Sequence, residues 1–307
     1  MKRDFISIAD RTPQEIKSLV GLAARLKHDV YAKRSRNLLA GKSLAMVFQK
    51  PSLRTRVSFE MAMKQEGGSA LYIAPDEIKL GQRESVPDVA RVLSRYVDGI
   101  MARVFSHRDI LDLAKWASVP VINGLSDFDH PCQGMADLLT IQEKLGGLKG
   151  VKLAYVGDGN NVLHSLLMGG ANTGMRIWAA TPEGYGPLSE VVEWARIRAA
   201  ETGAEICIVT DPFEAVADAD VIYTDTWTSM GQEAEASKRR QVFPPYQVNA
   251  ALVSAAKKQV GVMHCLPAHR GEEITDEVAD GSHSWIFDQA ENRLHAQKAV
   301  LVDLLGV

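Results

Sequence analysis

Short apolar runs alternate with amphipathic stretches along almost all of this 307-residue chain, and that alternation restricts the fold more than any other property. A strand buried on both faces reads as a continuous apolar run, and parallel strands need a crossover between them, usually a helix. Runs at residues 43–49, 97–104, 119–123, 151–156, 175–180, 206–210, 221–225 and 259–264 read as strands. Helices are predicted from Ser52 to a stop at Gly67 and Gly68, over 110–116, 135–145, 162–172 and 213–217, and from about 291 to 305. The chain is therefore predicted to be α/β, with mainly parallel sheets flanked by helices.

The length suggests about two domains. Residues 1–134 form the predicted first domain, to which a C-terminal helix at 291–307 returns. A connecting helix is expected over 135–149, because Gly146 and Gly147 close the helical pattern and a new β-α series opens at Val151. Residues 150–290 complete the second domain.

Composition narrows the partners. A net charge of −3 argues against a general nucleic-acid or membrane surface. Cys132, Cys207 and Cys265 contain no C-x-x-C pair, and their odd number argues against a full disulfide framework. The first residues lack the apolar run of a signal peptide, and no segment reaches the length of a membrane span. A cytoplasmic location is expected.

Four segments carry chemistry. S-L-R-T-R at 52–56 places two hydroxyls and two guanidinium groups where a helix begins, and there unsatisfied N–H groups and the helix dipole attract an anion. The same residues would also serve as an N-cap with solvent-facing arginines. H-P-C-Q at 130–133 offers an imidazole and an amide around Pro131, which biases His130 toward extended backbone and shapes a turn. D-T-W-T-S-M-G at 225–231 offers a carboxylate at a strand end, and H-C-L-P at 264–267 a thiol that singly reads as a buried small hydrophobe. Together the inventory suits an anion and an amine. G-D-G-N-N at 157–161 lacks the third glycine of a dinucleotide fingerprint, and the next strand ends without an acidic residue. It reads as a tight strand-to-helix turn, from which Asn160 or Asn161 could present an amide.

In this order the four segments resemble the aspartate/ornithine carbamoyltransferase family over nearly the whole chain. F-P-P-Y-Q at 243–247 and E-N-R at 291–293 extend the likeness, and D-x-x-x-S-M-G with H-C-L-P resemble its ornithine branch. The resemblance implies two α/β domains with the active site between them, and a homotrimer or multiple of trimers in which a neighbouring subunit contributes residues. It implies transfer of the carbamoyl group of carbamoyl phosphate to the side-chain amine of L-ornithine, giving L-citrulline and phosphate, a reaction that one site can run toward arginine biosynthesis or toward degradation of citrulline. No metal or organic cofactor is expected. Carried onto matching positions, Ser52, Leu53, Arg54, Thr55, Arg103, His130, Gln133, Cys265, Leu266 and Arg293 would hold carbamoyl phosphate. Asn161, Asp225, Ser229 and Met230 would hold ornithine, and Arg103, His130, Cys265 and Arg293 would act in catalysis.

Two positions depart from the family pattern. Leu53 stands where threonine is common, a place that can contribute its backbone. Lys79 stands where many relatives carry glutamine, in the loop associated with the adjacent subunit, and it stays outside the assigned set. Three alternatives remain at this stage: a carbamoyltransferase for another amine, a Cys–His hydrolase built on Cys265 and His264, and a non-catalytic binding protein. The hydrolase is disfavoured because adjacent strand residues point to opposite faces.

Overall fold

The computed structural model describes residues 2–228 and 233–306. The chain divides into two compact units, Met1–Leu139 with Asn292–Val307, and Thr140–Glu291.

The first unit opens with α1 (Pro13–Tyr31), where Thr12 and Glu15 form a capping box and Pro13 fits the first helical turn. There follow β1 (Ser43–Phe48), α2 (Leu53–Gln65), β2 (Ser69–Ile73), α3 (Pro75–Ile78), α4 (Val86–Leu93), β3 (Gly99–Arg103), α5 (His107–Trp116) and β4 (Val121–Leu125). The strands pair in parallel in the order β2-β1-β3-β4. β3 and β4 are buried throughout and β1 in all but its first residue, so both sheet faces are covered. Ala45, Val47, Ile100 and Ala102 pack with Val89 of α4 and Ile110 and Leu113 of α5. α2 packs on β1 and β2 through a face that includes Phe59, Ala62 and Met63, all buried. Truncating Phe59 to alanine there would cost about 3–5 kcal/mol.

The path of the chain creates a binding crevice. From β1 it runs through α2 to β2 on one side, and β3 lies on the other side of β1. The carboxyl ends of strands at such a reversal are where open α/β sheets bind ligands. Ser52 follows β1, and Arg103 is the last residue of β3.

α6 (Pro131–Leu145) and α13 (Ile286–Leu305) each span a division between the units. Between them lie β5 (Lys152–Val156), α7 (Asn161–Thr173), β6 (Arg176–Ala180), α8 (Ser189–Thr202), β7 (Glu205–Val209), α9 (Pro212–Val216), β8 (Val221–Thr224), α10 (Ala236–Val242), α11 (Ala250–Ser254), β9 (Gly261–His264) and α12 (Asp276–Ala279). The second sheet is parallel in the order β7-β6-β5-β8-β9. Its reversal falls between β5 and β8, beside the turn that begins at Gly157 and beside Asp225. That turn requires glycine at 159, where a Cβ would lie 2.2 Å from the Gly186 carbonyl carbon.

Several elements differ from the sequence reading. The helix expected over 135–149 spans Pro131–Leu145, because proline is accepted at the first helical position; Gly146, at φ +76°, ends it. H-P-C-Q is therefore the start of a helix rather than a free turn. α13 begins at Ile286, five residues before the expected start near 291. α1, α8 and the half-exposed edge strand β2 were not anticipated. Among the described residues, no helix is long and apolar enough to cross a membrane.

Candidate active site

The crevice of the first unit is cationic. Ser52 has an extended backbone and caps α2, its Oγ accepting the Thr55 N–H at 3.3 Å and lying 3.1 Å from Thr55 Oγ1. Leu53 is 75% exposed, so its side chain contributes little to the local packing. Thr55, Arg103, His130, Gln133 and Arg293 are all buried. The Arg293 guanidinium organises them: it donates to Gln133 Oε1 at 2.9 Å, to Thr55 Oγ1 at 3.3 Å and to Gln297 Oε1 at 2.9 Å. The Gln133 amide in turn donates to Asp137 Oδ1 at 2.7 Å, and the Gln297 amide donates to Ser58 Oγ. The carboxamide of Gln133 is thereby fixed at both ends.

His130 sits among charges of one sign. Burial, and then Arg293, Arg103, Lys50 and Arg54, hold its imidazole well below the ordinary histidine range. The ring is neutral at neutral pH and able to donate a single hydrogen bond without adding charge. Lys50, buried and 4.9 Å from the Phe105 ring centroid, joins this cluster although the sequence reading passed over it. Its signal was its place between β1 and Ser52. Cys132 is inert by contrast, with burial pushing its thiol up to about 12.

The crevice of the second unit is anionic. Asp225, buried just beyond β8, receives the Asn160 amide on Oδ2 at 2.8 Å and the Cys265 thiol on Oδ1 at 3.0 Å. Asn160 also caps α7, its Oδ1 accepting the N–H groups of Val162 and Leu163. Of the two asparagines considered, Asn160 is the one that meets Asp225, while Asn161 is the half-buried first residue of α7. Ser229 and Met230 lie outside the described residues.

His264 does not pair with Cys265. Its Nδ1 accepts the Leu266 N–H at 2.9 Å, which leaves the ring proton on Nε2, directed to Glu273 Oε1 at 3.0 Å. Both ring nitrogens hold the H-C-L-P segment in place, including Leu266 at φ +58°. The hydrolase reading loses its base. Ligand atoms of Asp225, His264 and Cys265 do lie within 4.8 Å of one another, but those nitrogens are already committed.

A buried ion pair supports the carboxylate. Arg239 of α10 reaches Asp158 Oδ1 at 2.9 Å and the Trp227 carbonyl at 2.8 Å, and its guanidinium lies 5.0 Å from the Tyr185 ring centroid. Burial pushes the Asp158 carboxyl up to about 6 despite that arginine. Sequence reading missed this pair, since only the fold brings residues 158, 227 and 239 together.

Two family models meet close to the first division between the units. A family model described as the carbamoyl-P binding domain of aspartate/ornithine carbamoyltransferase matches residues 3–143, and the Asp/Orn binding domain of the same family matches residues 149–304. The chain belongs to the aspartate/ornithine carbamoyltransferase family. Among its relatives, the ornithine carbamoyltransferase of Pyrococcus abyssi is 58% identical over 304 residues, covering 99% of this chain and 96% of the relative. The solved structure of ornithine carbamoyltransferase from Pyrococcus furiosus is 57% identical, with a TM-score of 0.96, covering 99% of this chain and 97% of that one. A more distant family member, ornithine transcarbamoylase from Giardia lamblia, keeps a TM-score of 0.90 at 37% identity, over 99% of this chain and 98% of its own.

Proposed function

We propose that this enzyme transfers the carbamoyl group of carbamoyl phosphate to the side-chain amine of L-ornithine, releasing L-citrulline and phosphate. The observation that carries the choice of amine is the buried carboxylate of Asp225 with the Cys265 thiol on one oxygen. An anionic crevice attracts the ammonium groups of ornithine and repels the dicarboxylate aspartate, the other substrate class of the family.

In this reading, Arg54 with Ser52 and Thr55 takes the phosphate at the start of α2, where free N–H groups and the helix dipole add to the attraction. Arg103, Thr55 and neutral His130 polarise the carbamoyl oxygen, and Gln133 binds the carbamoyl amide. Arg293 positions Gln133 and Thr55 through the contacts already described. Leu53 contributes its backbone. Phosphate is already a good leaving group, so the task is orientation and stabilisation of the oxyanion that develops on attack. The ornithine amine attacks only after losing its proton, because an ammonium has no lone pair and an ordinary pKa of about 10. Asp225 and Cys265, with Asn161, Ser229 and Met230, bind the amino acid, whose side-chain amine reacts as the neutral base, and Leu266 and Cys265 line the reacting carbon. Attack forms a tetrahedral intermediate that collapses with departure of phosphate.

We place the enzyme in the cytoplasm as a homotrimer or multiple of trimers. The exposed apolar side chains of Leu53, Val57 and Leu71 on α2 and β2 support self-association. One relative, from Pyrococcus furiosus, is named anabolic, which supports use toward arginine. A substrate panel tests the assignment: with carbamoyl phosphate fixed, kcat/KM for ornithine should exceed that for aspartate by several orders of magnitude. Equal use of the two amines would refute it.

A further inference from the structure

A turn of the second unit beyond the residues assigned to the transfer gathers metal-ligand chemistry. His269, Glu272 and Glu273 each bring one ligand atom within 4.8 Å of the others. Gly271, at φ +88°, allows the chain to double back, with the Glu272 N–H donating to the His269 carbonyl at 2.9 Å.

Glu273 is fully buried, and its two oxygens are treated differently. Oε1 accepts from His264 Nε2 at 3.0 Å and from the His269 backbone N–H at 2.6 Å. Oε2 is buried with no hydrogen-bond partner, and Nδ1 of His269 lies 3.8 Å from it, beyond hydrogen-bond length. A buried carboxylate oxygen in this position calls for a donor or a cation. Glu272 is similarly divided: Nε and Nη2 of Arg240 both reach its Oε1, at 3.1 and 3.0 Å, which leaves Oε2 as a ligand atom.

We propose that this turn binds a divalent transition-metal ion through His269 Nδ1 and one oxygen each from Glu272 and Glu273. One imidazole nitrogen and two carboxylates, without a thiolate, suit Mn²⁺, Co²⁺, Ni²⁺ or Zn²⁺, and the two negative charges balance the ion. Two ligand atoms about 2.1 Å from an ion can stand up to about 4.2 Å apart, so one ion spans the 3.8 Å between His269 Nδ1 and Glu273 Oε2, and the half-exposed Glu272 side chain, within 4.8 Å of both, closes on it by a side-chain rotation. His269 and Glu272 are partly exposed, which gives the ion an entry path. The same Glu273 carboxylate holds His264, so the ion would sit one carboxylate away from the histidine that fixes the Cys265 segment.

Mn²⁺ titrated into the purified full-length chain, with free Mn²⁺ followed by electron paramagnetic resonance, tests the site. One bound ion per chain is expected in the wild type and in Cys265→Ala. His269→Ala and Glu272→Gln, at accessible positions, should weaken binding by at least about tenfold because one of three protein ligands is gone. After chelator treatment, both variants should form citrulline at the wild-type rate and melt at the wild-type temperature. Bound Co²⁺ should show no sulfur-to-metal charge-transfer band. Absence of Mn²⁺ binding in the wild type, or unchanged affinity in His269→Ala, would overturn the proposal. So would loss of binding in Cys265→Ala alone, which would move the ion to the thiol.

Discussion

The Cys265 thiol donates to Asp225 Oδ1 at 3.0 Å, joining the ends of two neighbouring strands. The register that sets Thr224 opposite His264 places the next residue of each strand side by side. A carboxylate and a thiol 40 positions apart thus become one feature. Asp225→Asn keeps the size and removes the charge that should meet an ornithine ammonium. A hydrogen bond to a charged group contributes about 1.5–3 kcal/mol, so kcat/KM for ornithine should fall roughly 10- to 100-fold. Cys265→Ser should also impair ornithine use. Calorimetry should find carbamoyl phosphate affinity intact in both; equal loss of that affinity would contradict the division between the two crevices.

Arg54→Ala tests the other crevice. It removes a fixed positive fork from the start of α2 while leaving the Ser52 cap and the Arg293 network in place. Carbamoyl phosphate affinity should fall by about tenfold or more. Unchanged affinity in a folded variant would remove Arg54 from the phosphate site.

The fold was legible because parallel strands buried on both faces leave continuous apolar runs, as in Ile100 to Ala102 or Leu153 to Val156. β2 escaped notice because Ser69–Ile73 is a half-exposed edge strand with no such run. The start of α6 was misplaced because Pro131 reads as a breaker from sequence, although it is well suited to a first helical turn. The motif residues stood out by type and order. Lys50 and Arg239 did not, because their parts depend on strand order and on a contact between residues 158 and 239, and Asn160 stood out only as one of two candidates, since the sequence does not show which asparagine turns toward Asp225.

His130 should titrate well below the usual range. Its folded pKa is depressed by burial and by four cations, against about 6.5 in the unfolded chain. Below pH 6.5 the unfolded chain therefore takes up a proton that the folded chain refuses, and stability is lost as pH falls toward the folded value. Imidazole nitrogen shifts by NMR should show His130 still neutral where an ordinary histidine, with a midpoint of about 6.5, is half protonated, and His130→Gln should flatten that part of the acid-side slope. A His130 midpoint at or above about 6.5 would contradict the cationic crevice.

Arg239→Met would leave Asp158 buried without its cation. The expected destabilisation at neutral pH is about 3–5 kcal/mol, and Arg239→Met with Asp158→Asn together should cost less than the sum of the two singles. Because Arg239 also holds the Trp227 carbonyl, two residues from Asp225, KM for ornithine should rise more than KM for carbamoyl phosphate. Urea melts of the four-member cycle, with steady-state kinetics, would check both. Strict additivity would mean that the pair is not coupled.

Carbamoyl transfer to ornithine can be watched by NMR with carbon-13-labelled carbamoyl phosphate and the purified enzyme. The label should move into the ureido carbon of citrulline, with one phosphate released for each citrulline formed and no transfer when ornithine is omitted. Label appearing only as cyanate or carbamate breakdown products, at the same rate with or without ornithine, would contradict it.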